Sequence, residues 1–233
     1  MKDIFLVDAD DTIVDFHGAS ASAIQDAFSA CGLVWKPEFA EVFREVNDGL
    51  WSSLERKEIT REWLIERRFP LLLQRLGYDA TLGANVNEKY LHFLATRPRY
   101  ADGAENFLAE LKKRGRIYVV TNGTAWIQKS RFALLGLDER VNGVFISQNV
   151  GYDKPAKEYV DYVIGHIDGF EKARAVWIGD SLYADMGAAK TAGIMSIWYN
   201  PKNKPCSLEN APDYTVAEFA EILEILQKNE NDG

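Results

Sequence analysis

Asp8, Asp10 and Asp11 fall within four residues, directly after the apolar run Ile4-Phe5-Leu6-Val7. A buried strand ending in three carboxylates has no packing rationale. Two like charges ~4 Å apart cost about 4 kcal/mol at an effective dielectric of ~20, so ionised neighbours there need a cation or a proton. A hard divalent metal meets that need. Mg2+ takes oxygen ligands, usually one or two carboxylates plus waters and a substrate phosphate, and its charge lets an anionic phosphate approach an anionic site. The plainer alternative is an acidic turn at a strand end, since Asp is common in turns.

Three later segments supply further parts of such a site, each at the end of an apolar run. Ile117-Tyr118-Val119-Val120 leads into Thr121-Asn122-Gly123, setting a hydroxyl able to hold a phosphate oxygen beside a backbone-exposing glycine. Gly143-Val144-Phe145-Ile146 runs on to Gly151-Tyr152-Asp153-Lys154-Pro155, with Pro155 suited to the first turn of a helix. Lys154 is then expected beside a helix start, where cation and helix dipole both favour an anion. Ala175-Val176-Trp177-Ile178 ends in Gly179-Asp180-Ser181, with Asp185 five residues beyond Asp180. Singly, a Thr after a strand, one lysine or a Gly-Asp-Ser turn is weak; the ordered set is far stronger.

In that order the segments resemble the four motifs of haloacid dehalogenase (HAD) superfamily phosphatases. Asp8-x-Asp10-x-Thr12 matches the first, Thr121 the second, Lys154 the third, and Gly179-Asp180-Ser181 with Asp185 the fourth. More narrowly, the chain is similar to the pyrimidine 5′-nucleotidases of that superfamily. Its Asp-Ala-Asp-Asp-Thr wording, Asn47 with Leu50-Trp51, Thr121-Asn122-Gly123, and Val150-Gly151 ahead of Lys154-Pro155 carry that likeness. Asp11 stands where many HAD phosphatases have Gly, a departure this nucleotidase group tolerates.

The resemblance implies roles. Asp8 would be the nucleophile that forms an aspartyl phosphate, and Asp10 the general acid and base. The side chains of Asp8 and Asp180 and the backbone carbonyl of Asp10 would bind Mg2+, with Asp185 holding metal waters. Thr121 and Lys154, with backbone N–H groups of the first loop, would bind the phosphoryl oxygens, and Asn122 joins them as a substrate-binding residue. In the insertion, Trp51 would stack on a base while Asn47 bonds its edge. The implied activity is Mg2+-dependent hydrolysis of pyrimidine nucleoside 5′-monophosphates. Phosphatases of phosphoglycolate or sugar phosphates and sugar phosphomutases are the alternatives within the superfamily. A dehalogenase would not need Asp10, and a silent regulatory protein would be expected to lose one of Asp8, Asp10, Lys154 or Asp180, all of which are present.

Composition bounds these readings. A chain of 233 residues, 47% hydrophobic, can build a sizeable core, and its net charge of −8 argues against a nucleic-acid polymer or an anionic membrane as partner. The expected partner is a small phosphate ester, captured by a monomer or homodimer. Cys31 and Cys206 show neither metal-binding spacing nor a disulfide framework. No signal stretch precedes the first strand and no run approaches ~18 apolar residues, so a cytoplasmic location is expected. His17, His92 and His166 lack metal spacing, although His17 lies near the first motif.

The elements that must position these residues follow from periodicity. Between Asp15 and about Thr96 helical spacing replaces strand-like runs. Helices are expected from Ser20 to Cys31, stopped by Gly32, and from Pro37 to about Leu54, with Phe39, Val42, Phe43, Val46 and Leu50 on one face. A third is capped by Thr60, faces Trp63, Leu64, Phe69, Leu72, Leu73 and Leu76 inward, and is broken or kinked at Pro70. A fourth covers about Val86 to Ala95. From Gly103 onward helices and strands alternate, the mark of a parallel sheet covered on both faces. The tail from Lys228 to Gly233 reads as frayed. The expected fold is α/β: a doubly wound parallel-sheet core, residues 1–14 and 97–233, with an inserted all-helical cap, 15–96. All four motifs then sit at the carboxyl ends of strands, where open parallel sheets bind ligands.

Overall fold

The structure, a computed structural model, describes residues 1–206 and 210–231. The chain divides into two compact units, Met1–Phe16 with Pro98–Gly233, and His17–Arg97. Among the described residues no helix is long and apolar enough to cross a membrane.

The first unit is built on six parallel strands: β1 (Ile4–Val7), β2 (Arg116–Thr121), β3 (Gly143–Ile146), β4 (Ala175–Gly179), β5 (Met195–Tyr199) and β6 (Tyr214–Val216). Their order is β3-β2-β1-β4-β5-β6, so β1 lies at the centre, where the direction of winding reverses. Such a reversal opens a crevice beyond the strand ends. Every residue of β1 is apolar because both faces of the strand are covered. Phe5 and Val7 pack with α5 (Ala104–Arg114) and α10 (Phe219–Asn231) through Phe107, Leu111, Ile222 and Leu226. Ile4 and Leu6 pack on the opposite face with α8 (Lys157–Gly165) and α9 (Gly187–Ala192) through Tyr159, Val163, Ala188 and Ala192. Each such fully buried side chain contributes about 1.5–3 kcal/mol. Two further helices, α6 (Ala125–Leu135) and α7 (Ser147–Val150), follow β2 and β3.

The second unit consists of α1 (Phe16–Ala30, which begins one residue earlier, in the first unit), α2 (Phe39–Glu55), α3 (Arg61–Arg75) and α4 (Gly83–Thr96). Phe43, Phe69 and Tyr90, from α2, α3 and α4, pack ring against ring at centroid distances of 5.0–6.0 Å. Ser20 on α1 and Tyr90 share a 2.8 Å hydrogen bond. Thr60 caps α3 as expected, accepting from the Trp63 N–H.

Four expectations are corrected. Helix α3 runs unbroken through Pro70. The proline lacks an N–H for the carbonyl one turn back, but that turn carries the exposed Glu66 and lies open to water. The Pro70 ring fills space left by Gly83, where a Cβ would fall 2.4 Å from Pro70 Cδ. Trp63 points outward, 41% exposed, because the buried stripe of α3 passes through Leu64, Phe69, Leu72 and Leu73. Pro155 precedes α8 rather than opening it, since that helix starts at Lys157. The tail does not fray at Lys228, because α10 continues to Asn231; residues 232 and 233 lie outside those described.

Candidate active site

β1 delivers Asp8 to the centre of the sheet's carboxyl edge. The Asp8 N–H donates to the Ile178 carbonyl of β4 at 2.9 Å, and the residue is 6% exposed. The next residues turn at once. The Ala9 carbonyl accepts from the N–H groups of Thr12, Ile13 and Val14, and Asp11 sits in the left-handed region with φ 59°. That conformation suits Gly best and Asp better than most residues, which gives a physical reason for Gly in related motifs. The turn brings the Thr12 hydroxyl to Asp8 Oδ2 at 3.3 Å.

Lys154 reaches the same place from the loop between α7 and α8. Its Nζ, buried, donates to Asp8 Oδ1 at 2.6 Å, Asp185 Oδ1 at 2.6 Å and the Val120 carbonyl at 2.9 Å. An ammonium has three protons, and all three are placed. The expected helix start is therefore not what holds this cation. Its backbone is clamped by Asn122 of the second motif, whose Oδ1 accepts from the Lys154 N–H at 2.8 Å and whose Nδ2 donates to the Lys154 carbonyl at 3.1 Å.

Asp185 lies 1% exposed under the end of β4, turned back by the π-helical turn Leu182–Met186. Its Oδ2 accepts from the Ser181 N–H at 3.1 Å, and its Oδ1 from Trp177 Nε1 at 3.3 Å as well as from Lys154. Gly179 makes this possible, since a Cβ there would fall 2.3 Å from Asp185 Cγ. Asp180 is partly exposed, and its Oδ2 accepts from Lys204 Nζ at 3.1 Å.

Asp8, Asp180 and Asp185 offer ligand oxygens within 4.8 Å of one another. The electrostatics record the crowding. Burial, then Asp185 and Asp180, push the Asp8 carboxyl well above its usual range against the pull of Lys154. Burial works against the charge on Lys154, yet Asp185 and Asp8 hold its ammonium above the ordinary lysine range. Burial, with Asp11 and Asp185, pushes the Asp180 carboxyl up to about 6 although Lys204 opposes it. Asp8 and Asp185 share the buried Lys154 ammonium while Asp180 pairs with Lys204, and Asp8 and Asp180 both favour taking up a proton or a cation. The donor set, all oxygen and anionic, fits Mg2+. Asp185 spends its two oxygens on three protein donors and Asp8 spends its two on Lys154 and Thr12, whereas Asp180 is contacted at Oδ2 by the exposed Lys204.

Other expected site residues are placed differently. The Asp10 side chain, 28% exposed, turns to α6, where Oδ1 accepts from Arg131 Nη1 at 2.6 Å and Oδ2 from Gln128 Nε2 at 2.9 Å. Thr121 Oγ1, 1% exposed, accepts from Gln128 Nε2 at 2.9 Å and the Gly123 N–H at 3.1 Å. Asn47 is buried in the helical unit, where its Oδ1 accepts from Arg68 and its Nδ2 donates to Asp48. Trp51 is half-buried there, with the Arg61 guanidinium 5.6 Å from its ring centroid. Gln128 and Arg131 were not among the expected site residues. A signal existed, because two polar residues three apart share the buried face of α6 with Ile127 and Phe132. Lys204 carries no comparable pattern.

Known proteins match most of the chain. The model of the haloacid dehalogenase-like hydrolases fits residues 2–193, and the chain belongs to that family of hydrolases. It is similar to a Bacillus subtilis protein named as the HAD-hydrolase YfnB, 35% identical over 95% of this chain and 94% of that one. A crystal structure of YfnB, described as bound to magnesium and revealing interdomain movement, superposes with a TM-score of 0.92 at 34% identity, covering 97% of this chain and 98% of that one. Two relatives are named pyrimidine 5′-nucleotidases. They are PynA of Streptococcus pneumoniae, 32% identical over 96% of this chain and 94% of the relative, and YjjG of Escherichia coli, 26% identical over 97% and 99%.

Proposed function

We propose that the chain is a Mg2+-dependent phosphate monoester hydrolase working through an aspartyl phosphate on Asp8, with pyrimidine nucleoside 5′-monophosphates as preferred substrates. The observation that carries the chemistry is the cluster of Asp8, Asp180 and Asp185, the first and last of them bonded to Lys154, with a second acid, Asp10, two residues beyond the nucleophile. Asp8 and Asp180, with the Asp10 backbone carbonyl, would hold Mg2+, and Asp185 would fix its waters from outside. When bound, the ion supplies positive charge that screens the carboxylates and draws in the phosphate.

The protein's own groups do the rest. Lys154, rigidly placed by three acceptors and by Asn122, keeps Asp8 aligned for in-line attack and would bind a phosphoryl oxygen by exchanging one of those three contacts for it. Thr121 keeps its own proton to donate to another such oxygen. Asp10 protonates the departing ester oxygen and then takes a proton from the water that attacks the aspartyl phosphate. The helical unit, residues 17–97, is assigned the choice of the organic group.

The pyrimidine preference rests on the two nucleotidase relatives and on Trp51 as a stacking surface, since the Asn47 amide is engaged by Arg68. A panel of metabolite phosphates with Mg2+, repeated in excess chelator, tests both levels. Pyrimidine 5′-monophosphates should lead the panel and all turnover should vanish in chelator. Undiminished turnover in chelator removes the metal, and faster hydrolysis of phosphoglycolate or a hexose phosphate removes the nucleotide preference alone. Trp51→Ala should lower kcat/KM for nucleotides by about tenfold while sparing a small aryl phosphate.

A further inference from the structure

Arg131 is 1% exposed, and in a buried position a guanidinium is tolerated only with good partners. Its Nη1 serves Asp10 Oδ1 at 2.6 Å and Gln128 Oε1 at 3.0 Å. Among the described residues its Nε and Nη2 are buried without a hydrogen-bond partner. Each buried donor left so carries its desolvation cost without compensation. Fold stability alone would favour a shorter or apolar side chain here, so the contact with Asp10 needs another reason to exist.

Gln128 supplies it. A single amide nitrogen, Nε2, reaches both Asp10 Oδ2 and Thr121 Oγ1 at 2.9 Å, tying the second acid of the first motif to the hydroxyl of the second. Gly123 makes room for this side chain, because a Cβ there would fall 2.3 Å from Gln128 Nε2. The two Asp10 oxygens are thus held by two side chains on one helix, and the carboxyl plane is fixed relative to β2.

We propose that Gln128 and Arg131 are positioning residues that hold the Asp10 carboxyl group in the orientation from which it transfers its proton, a role that rests on the phosphatase reading above. As the Asp8 oxygen bonds to phosphorus and the ester oxygen leaves, the Asp10 proton passes to that oxygen, giving the free alcohol. Negative charge then appears on Asp10 beside the Arg131 guanidinium. In the second half Asp10 takes a proton from water as the water oxygen bonds to phosphorus and the Asp8–phosphate bond breaks, restoring both aspartates.

The test is a series of phenyl phosphates whose leaving groups range from 4-nitrophenol, which departs without a proton, to unsubstituted phenol. The readout is kcat/KM, which reports the first half-reaction. Arg131→Met and Gln128→Leu should lose more rate at each step along the series. The loss on phenyl phosphate should exceed that on 4-nitrophenyl phosphate by on the order of 10²-fold. Arg131→Lys, which keeps the charge, should recover part of the difference. A drop of equal size on every ester, or a gain in rate, in folded variants overturns the proposal. A wild-type protein inactive on all phenyl phosphates with Mg2+ instead overturns the phosphatase reading, so the two failures are told apart.

Discussion

Lys154 in the α/β unit and Arg68 in the helical unit are both buried cations, and they are surrounded in opposite ways. Lys154 donates to two carboxylates and a carbonyl, inside a cluster with more negative charge than it can neutralise. Arg68, 3% exposed, donates to the neutral side-chain oxygens of Asn47 and Asn87, both at 3.2 Å, and lies 5.0 Å and 4.7 Å from the ring centroids of Phe69 and Tyr90. Burial lowers the Arg68 pKa, whereas carboxylates raise that of Lys154. The first arrangement keeps charge concentrated where a charged substrate can use it. The second disperses charge into amides and π-faces, which binds helices together, although among the described residues the Arg68 Nε is buried without a hydrogen-bond partner.

The largest effect should come from breaking that contrast directly. Lys154→Met strands Asp8 and Asp185 in a buried site. Removing one partner of a buried pair costs about 3–5 kcal/mol, and phosphoryl transfer should be lost with it. Arg68→Met replaces a cation that has only neutral partners with an apolar chain among aromatic rings. The cost should then be about 1–2 kcal/mol, mainly two amide oxygens left without a donor. Urea unfolding of both variants at neutral pH measures the difference; equal losses would mean that Arg68 has charged dependence the contrast denies.

A pH series sharpens the comparison. The Asp180 carboxyl is pushed up to about 6 from its ordinary 3.8, chiefly by burial, so the folded protein keeps a proton that the unfolded chain has released. A raised folded-state pKa contributes stability that is full below 3.8 and lost as pH climbs through about 6. The amount is about 2–3 kcal/mol. In chelator, stability should therefore fall between pH about 4 and 7, and Asp180→Asn should remove that part of the slope. Mg2+ should restore stability above pH 6 by binding only the folded form. Arg68→Met should leave the slope alone, because a guanidinium stays charged throughout that range. A slope that survives in Asp180→Asn would assign it to another group.

What was legible in the sequence was what is local. The apolar run of β1 ending in Asp8 and the Thr60 cap each concern residues close along the chain and place a side chain by backbone direction alone, and the motifs from Asp8 to Asp185 could be read because each follows an apolar run of its own. What was hidden depends on contacts across the fold. Asp10 meets Gln128 and Arg131 across 118 and 121 residues of chain, a pairing no periodicity announces. The same holds for Pro70, whose ring takes the space that Gly83 on the next helix leaves open. Pro155 misled because its ring suits a helix start, yet the loop spends two more residues delivering Lys154 before α8 begins.

The smallest expected effect concerns Lys204, the only exposed cation described on the acidic cluster. Its ammonium lies 3.1 Å from Asp180 Oδ2 and is 47% exposed. Asn200 fixes its backbone, with Oδ1 accepting from the Lys204 N–H at 2.8 Å and Nδ2 donating to its carbonyl at 2.9 Å. It thus neutralises part of the charge that Mg2+ would neutralise, and a cation arriving at Asp180 must work against it. Partly exposed pairs of this kind are worth about 0–1 kcal/mol. Lys204→Met should accordingly tighten Mg2+ binding, by no more than about fivefold at low salt, and the gain should shrink as ionic strength rises. Isothermal titration with Mg2+ reads this without substrate. Weaker binding in the variant would show instead that Lys204 aligns Asp180 for the metal, and the site would then resemble the Arg68 network, where a cation serves geometry rather than charge.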